Sequence, residues 1–333
     1  MLKRITAIDG MRGGAVLAVV FFHFLSEFPR RYGMVEFEFF RVGQYGVQLF
    51  FVISGFVIFM SLEKNNFRKF IISRISRLYP AYWIGCSLTF ITISLYPIGV
   101  DLSFIDFIIN LTMLQAFFGV EHVDGSYWTL TYELVFYFYA ITIFISKNNT
   151  LKKCLLILFL QLLYGISVHF NIPFYRPVEA FLLLQFFNLF ICGILFYEYH
   201  KNNITLTCSV FLNVLIVFIQ FLIFRGESAL VLVFIIFIFY GVLFERLKFL
   251  SHPIILHFGG LSYSLYILHQ YIGYAVILKV NKLIGSQFIA TCCALLLTYI
   301  LAYLNFILVE DKINRKFKIW LSDRGPFLKS DRK

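Results

Sequence analysis

Apolar residues in this chain come in long, nearly unbroken runs, not in the short alternations of an element with one face in water. Runs long enough to cross a bilayer as a helix lie near 9–28, 42–62, 79–98, 127–146, 152–170, 180–198, 206–224, 228–244, 254–278 and 286–309. A further apolar stretch, 102–119, is interrupted by Asp106, Asn110 and Gln115 and preceded by Asp101, which suits an interfacial or re-entrant segment. The pattern predicts an all-α, polytopic transmembrane helix bundle of about ten helices. Residues 1–312 read as a single transmembrane domain and 313–333 as a basic cytoplasmic tail, with no repeat or linker between them.

Composition strengthens this picture. The chain is 60% hydrophobic and 14% charged, with a mean hydropathy of +0.82. A soluble domain is about one-quarter charged, so lipid must be the solvent for most of this surface. The net charge of +11 would suggest nucleic acid in a soluble chain, but here it follows the loops. With the N-terminus inside, 22 of the 29 Lys and Arg fall on the cytoplasmic side and 7 outside, which places both termini in the cytoplasm. The first run is expected to be a retained helix, because Arg12 interrupts it and no small-residue cleavage site follows. Six cysteines without CxxC spacing read as small core hydrophobes, so neither a metal set nor a disulfide framework is expected.

The informative residues are ionisable groups inside the apolar runs, which are costly there and usually functional: Asp9, Arg12, His23, Glu133 and His269. Arg12 and His23 are separated by 11 residues, close to three helical turns, so they share a face about 16 Å apart along the axis. Arg12 belongs near the cytoplasmic boundary and His23 in the outer half of the membrane. Glu133, about two turns inside its helix, falls at a similar depth, where it could orient His23 and balance its charge. The weaker alternative is a structural hydrogen bond between helices. His269 follows Tyr263 and Tyr266 and reads as a polar contact or a binding group. Arg74 and Arg77, at i and i+3 before a helix expected to start at Tyr79-Pro80, could clamp phosphate or simply set topology. External Arg30, Arg31 and Arg41 could meet an acidic ligand or simply be solvated.

Several short motifs occur together in one order. They are Ile8-Asp9-Gly10-Met11-Arg12-Gly13-Gly14 leading to Phe22-His23-Phe24; Gly46-Val47-Gln48-Leu49-Phe50-Phe51-Val52-Ile53-Ser54-Gly55-Phe56; Arg74-x-x-Arg77-Leu78-Tyr79-Pro80; Ser126-Tyr127-Trp128-Thr129-Leu130 through Glu133; and Ser262-Tyr263-Ser264-Leu265-Tyr266 through His269. In this the chain resembles the acyltransferase-3 family of membrane O-acyltransferases. It departs at Gln48, where many members carry an acid, and after Glu310, where a proline commonly follows.

The resemblance implies an acyltransferase that moves an acyl group, most often acetyl, from cytoplasmic acyl-coenzyme A to a hydroxyl of a bacterial surface or lipid-linked glycan. No permanently bound cofactor, metal or nucleic acid is implied. The expected location is the bacterial cytoplasmic (inner) membrane. His23 is then the expected base or transient acyl carrier, Glu133 its orienting carboxylate, and Arg12 the group that holds the donor. Arg12, Arg74, Arg77 and Tyr79 are expected to bind coenzyme A, and Trp128, Tyr263 and His269 to bind substrate. The competing classes are a transporter or flippase-like component of polysaccharide export, and a scaffold within such a complex.

Overall fold

Backbone groups in hydrocarbon have no water to bond to, so each apolar run must satisfy its own N–H and C=O groups, and helix is the form that does so. The structure, a computed structural model, describes residues 5–64, 67–145, 150–172 and 184–324. It is all-helical, with 84% of residues in helix and no strand among the described residues. Seven helices there are long and apolar enough to cross a membrane, and Trp128–Phe144 and Pro253–Leu268 are shorter apolar helices. The run expected at 180–198 lies partly outside the described residues.

The helices are α1 (Thr6–Phe22), α2 (Phe28–Arg31), α3 (Gly46–Lys64), α4 (Phe67–Leu95), α5 (Phe104–Asn110), α6 (Trp128–Ile145) and α7 (Thr150–His169). They continue as α8 (Phe187–His200), α9 (Leu206–Phe224), α10 (Gly226–Leu243), α11 (Pro253–Leu268), α12 (Gln270–Ile284), α13 (Gln287–Asn305) and α14 (Asn314–Arg324). Two compact units emerge: Met1–Ala15, Tyr45–Lys64 and Tyr132–Leu256 form the first; Val16–Gln44, Asn65–Thr131 and His257–Lys333 form the second.

In the first unit, α3 and α8 meet through glycine. A Cβ on Gly55 would lie 2.1 Å from the Phe190 carbonyl oxygen, and one on Gly193 would lie 2.0 Å from that of Val52. Small residues permit this backbone approach, which supplies the packing that lipid cannot drive. Beside it runs a ladder of buried neutral side chains. Gln161 on α7 donates to Asn188 on α8 (3.4 Å), and Asn188 donates to Gln220 on α9 (2.6 Å). Gln220 and Gln48 on α3 both donate to Ser228 on α10, at 2.8 and 2.6 Å. Gln48 therefore serves as a neutral interhelical contact.

The second unit packs α12 against α4 and α13. Tyrosine hydroxyls tie helices to backbone carbonyls: Tyr82 donates to Asn110, Tyr127 to Ile267 and Tyr263 to Leu78, at 2.8, 2.8 and 2.9 Å. The interrupted stretch at 102–119 becomes α5, capped by a reciprocal Ser103–Asp106 pair, followed by a 3₁₀ turn at Gln115–Phe118. Two boundaries differ from expectation. Helix α4 begins at Phe67, three turns before Tyr79, and carries Pro80 in its interior. Membrane helices tolerate such a proline because neighbouring groups take up the freed carbonyl. The run at 254–278 divides at His269 into α11 and α12. The basic tail also begins as an ordered helix, α14.

Replacing Gly193 by Ala drives a Cβ into a backbone carbonyl and is expected to cost about 1–3 kcal/mol or more. Gly14→Ala, where the added Cβ meets nothing within 4 Å, is expected to change little. Thermal unfolding of both variants in detergent, followed by size-exclusion chromatography, checks the contrast.

Candidate active site

Helix α1 does not end cleanly. At His23–Glu27 it widens into a π turn, a form that is rare and recurs at functional sites. The widening leaves the Leu25 carbonyl to accept from the Phe37 N–H at 2.9 Å, and the Ser26 hydroxyl donates to Glu36 at 2.6 Å. On the same turn the His23 Nδ1–H donates to the Glu27 carboxylate. A carboxylate only accepts, so this bond fixes the tautomer: the proton is on Nδ1 and the lone pair on Nε2. The buried Tyr274 hydroxyl donates to the same Glu27 oxygen at 2.9 Å and lies 3.2 Å from His23 Nδ1. Gln270 in turn donates to the Tyr274 hydroxyl at 3.5 Å. The approach of this turn to α12 depends on Gly273, where a Cβ would lie 2.1 Å from the Phe24 ring.

His269 stands at the junction of α11 and α12, with no exposed surface. Its Nδ1–H donates to the Tyr266 carbonyl at 2.7 Å, so its Nε2 also carries a lone pair, and that atom has no hydrogen-bond partner among the described residues. Leaving a buried acceptor unbonded costs about 1–3 kcal/mol, a cost that marks the atom for explanation. The two imidazole centroids are 5.0 Å apart, with planes at 52°.

The junction is held by Asp124. One of its oxygens accepts from the Ser126 N–H (3.0 Å) and hydroxyl (2.6 Å), and the other from the Tyr271 N–H at the start of α12 (2.9 Å). Burial pushes the Asp124 carboxyl above its usual range, opposed by these donors and by His23. Nearby, the Tyr266 hydroxyl pairs with that of Thr129 at 2.8 Å.

Arg74 and Arg77 are half-buried within α4, with the Arg74 guanidinium 5.5 Å from the Phe70 ring centre. Tyr263 bonds the Leu78 carbonyl next to Arg77, and the Tyr79 hydroxyl donates to the Thr112 carbonyl at 3.0 Å. Tyr263 thus fixes the backbone beside Arg77, and Tyr79 fixes that of Thr112.

Of the residues singled out in the sequence, the structure brings His23 and His269 together, and it groups Tyr79 and Tyr263 around the arginine pair. Trp128 opens α6. The carboxylate at His23 Nδ1 is Glu27, where Glu133 was expected; the Glu133 carboxylate accepts instead from Tyr137, one turn along α6. Arg12 and Glu133 belong to the first unit. Glu27 was discernible as a carboxylate one helical turn after His23, whereas Tyr274, Gln270 and Asp124 carried no spacing signal.

The model of the acyltransferase-3 family, an acyltransferase domain, matches residues 5–305. A protein of Acidianus two-tailed virus named "Putative acetyltransferase ORF330" is 25% identical over 279 residues, covering 79% of this chain and 81% of the viral protein. No solved structure matches the chain.

Glu27→Gln replaces an acceptor by a group that can also donate, so it loosens the tautomer of His23. Turnover is expected to fall by about 10²- to 10⁴-fold at unchanged folded yield. Tyr274→Phe is expected to cost about tenfold. Steady-state kinetics with a size-exclusion profile of each variant tests both.

Proposed function

The chain belongs to the acyltransferase-3 family and is an acyltransferase, and we propose that it transfers acetyl from cytoplasmic acetyl-coenzyme A to a hydroxyl of a bacterial surface or lipid-linked glycan. The observation that carries this reading is the His23–Glu27–Tyr274 constellation, which commits Nδ1 and keeps the lone pair on Nε2. His23 Nε2 takes the proton of the acceptor hydroxyl as its oxygen attacks the thioester carbonyl, and Glu27 balances the imidazolium that forms. Collapse of the adduct breaks the C–S bond, and the departing thiolate receives the proton from Nε2.

In this reading both termini are cytoplasmic, about ten helices cross the cytoplasmic membrane, and Arg74 and Arg77 face the cytoplasm. They bind the coenzyme A phosphates as charge-assisted partners, with Tyr79 beside them. Arg12 holds the donor where its pantetheine arm enters. A thin arm can span the roughly 16 Å from Arg12 to His23 along the first helix, where a nucleotide could not follow. Trp128, Tyr263 and His269 remain candidates for the substrate side. Glu133 is not needed at Nδ1 and keeps a supporting role on α6.

Membranes containing the protein, given radiolabelled acetyl-coenzyme A and surface glycan, are expected to place label in the glycan. His23→Ala should abolish labelling while leaving the folded yield intact. Full labelling by that variant would overturn the assignment.

A further inference from the structure

Beside the π turn that carries His23, the strap from α2 to Phe37 leaves a groove of about 380 Å³ against the start of α13. Leu25, Val35 and Phe37 form one wall, and Phe288, Cys292 and Leu295 the other. The Gln287 side chain clasps the strap: it donates to the Val35 carbonyl at 2.8 Å and accepts from the Val35 N–H at 3.0 Å. The Thr291 hydroxyl donates to the Gln287 carbonyl at 2.9 Å. Both polar side chains of the lining amides and hydroxyls are thus already bonded, and what the groove offers a ligand is hydrocarbon. Its volume suits a small-molecule site, which takes about 300–1,000 Å³.

Surroundings, position and charge together choose the occupant. The groove opens on an apolar face of α13, where Phe288 is 78% exposed and Leu296 62%. On a helix that crosses a bilayer such a face meets lipid chains, so the groove continues the lipid interface. Helix α13 runs about 27 Å from Gln287 to Asn305. It continues through a π segment, Phe306–Ile313, to Asn314, which donates to the Arg77 carbonyl at 3.1 Å. The groove therefore lies at the far end of this unit from the arginine pair, on the His23 side. Arg31, exposed at the end of α2, lies against Tyr271 and within electrostatic reach of Glu27. It makes no ion pair among the described residues, and so leaves a cation between the groove and the His23 turn.

We propose that this groove seats the hydrocarbon chain of a lipid-linked acceptor, with Arg31 meeting the phosphate that joins chain to sugar and the acceptor hydroxyl reaching His23. The inference rests on the glycan reading above and deepens it, because it narrows the acceptor to an amphiphile held in the membrane. A chain already in lipid gains little by entering an apolar groove, since the two are equally dry. What the groove supplies is placement. Leu25 and His23 share one turn, and the Leu25 carbonyl accepts from the Phe37 N–H at 2.9 Å, so floor and strap move as one piece. A chain seated there holds its headgroup at a set reach from the imidazole and raises the local concentration of the sugar.

The test uses the full-length protein in phosphatidylcholine nanodiscs, as wild type and as Cys292→Trp, which fills the groove from its exposed wall. The acceptors are lipid-linked saccharide extracted from the membranes of the producing cells and the same saccharide freed from its chain by mild acid. Labelled acetyl-coenzyme A is the donor. Cys292→Trp is expected to raise KM for the lipid-linked form about tenfold and to move KM for the free saccharide less than about twofold. Arg31→Gln is expected to shift the ratio of the two KM values in the same direction, and it decides if the tryptophan variant does not fold. A ratio that keeps its wild-type value overturns the inference, as does an equal loss on both acceptors. So does an unchanged ratio with loss of co-purified phospholipid in native mass spectrometry, since the groove would then hold bilayer lipid. Folded wild type that labels neither form refutes the glycan reading, and this inference with it.

Discussion

Hydrocarbon offers no water to a polar group, so every hydrogen-bonding atom within it must find its partner in the protein or go without. That constraint accounts for both units. In the first, five neutral side chains from α3, α7, α8, α9 and α10 close on one another as a ladder. Each interhelical bond of this kind contributes only about 0.6 kcal/mol. Their combined effect is to exclude registers in which an amide faces lipid. In the second unit the same demand fixes two imidazoles, each with Nδ1 committed to a particular acceptor. A histidine so held has one tautomer and one usable lone pair, which is what a base requires.

Much of this was legible because the membrane simplifies the reading of a chain. The run at 206–224 coincides with α9, and those at 152–170 and 228–244 lie within two residues of α7 and α10. Boundaries failed where a polar or breaking residue sits inside a helix. Pro80 suggested a start, but the helix already runs through the basic stretch from Phe67 to Leu78 and continues past it. His269 lay inside an apolar run and showed no break in sequence, because what holds the junction is Asp124, more than 140 residues away. The basic tail was visible as charge, but its helix and its register on α4 come from tertiary contacts.

The candidate site was legible in the same uneven way. His23, Arg74, Arg77 and His269 each stood out as an ionisable group where lipid or a helix mouth makes it expensive. Glu27 did not, because the first helix was expected to end near it, at the water boundary. Depth alone then favoured Glu133, yet depth fixes neither direction nor neighbour. A carboxylate four residues from the histidine on the same turn needs no tertiary coincidence to reach it.

The π turn preserves that economy. Widening the helix at His23–Glu27 keeps the imidazole and carboxylate on one wall, while the released Leu25 carbonyl is taken by the strap that ends at Phe37. The two imidazoles then differ in a way that divides their work. His23 leans on a carboxylate, which can balance the charge of an imidazolium; His269 leans on a backbone carbonyl, which supplies only a dipole. In the proposed reaction His23 is therefore the ring that can carry the acceptor's proton. His269 Nε2, without a partner among the described residues, is placed to accept a hydrogen bond from whatever donor enters. Interchanging their partners would leave both rings in place and reverse their roles. The chemistry of this site thus lies in what each Nδ1 touches.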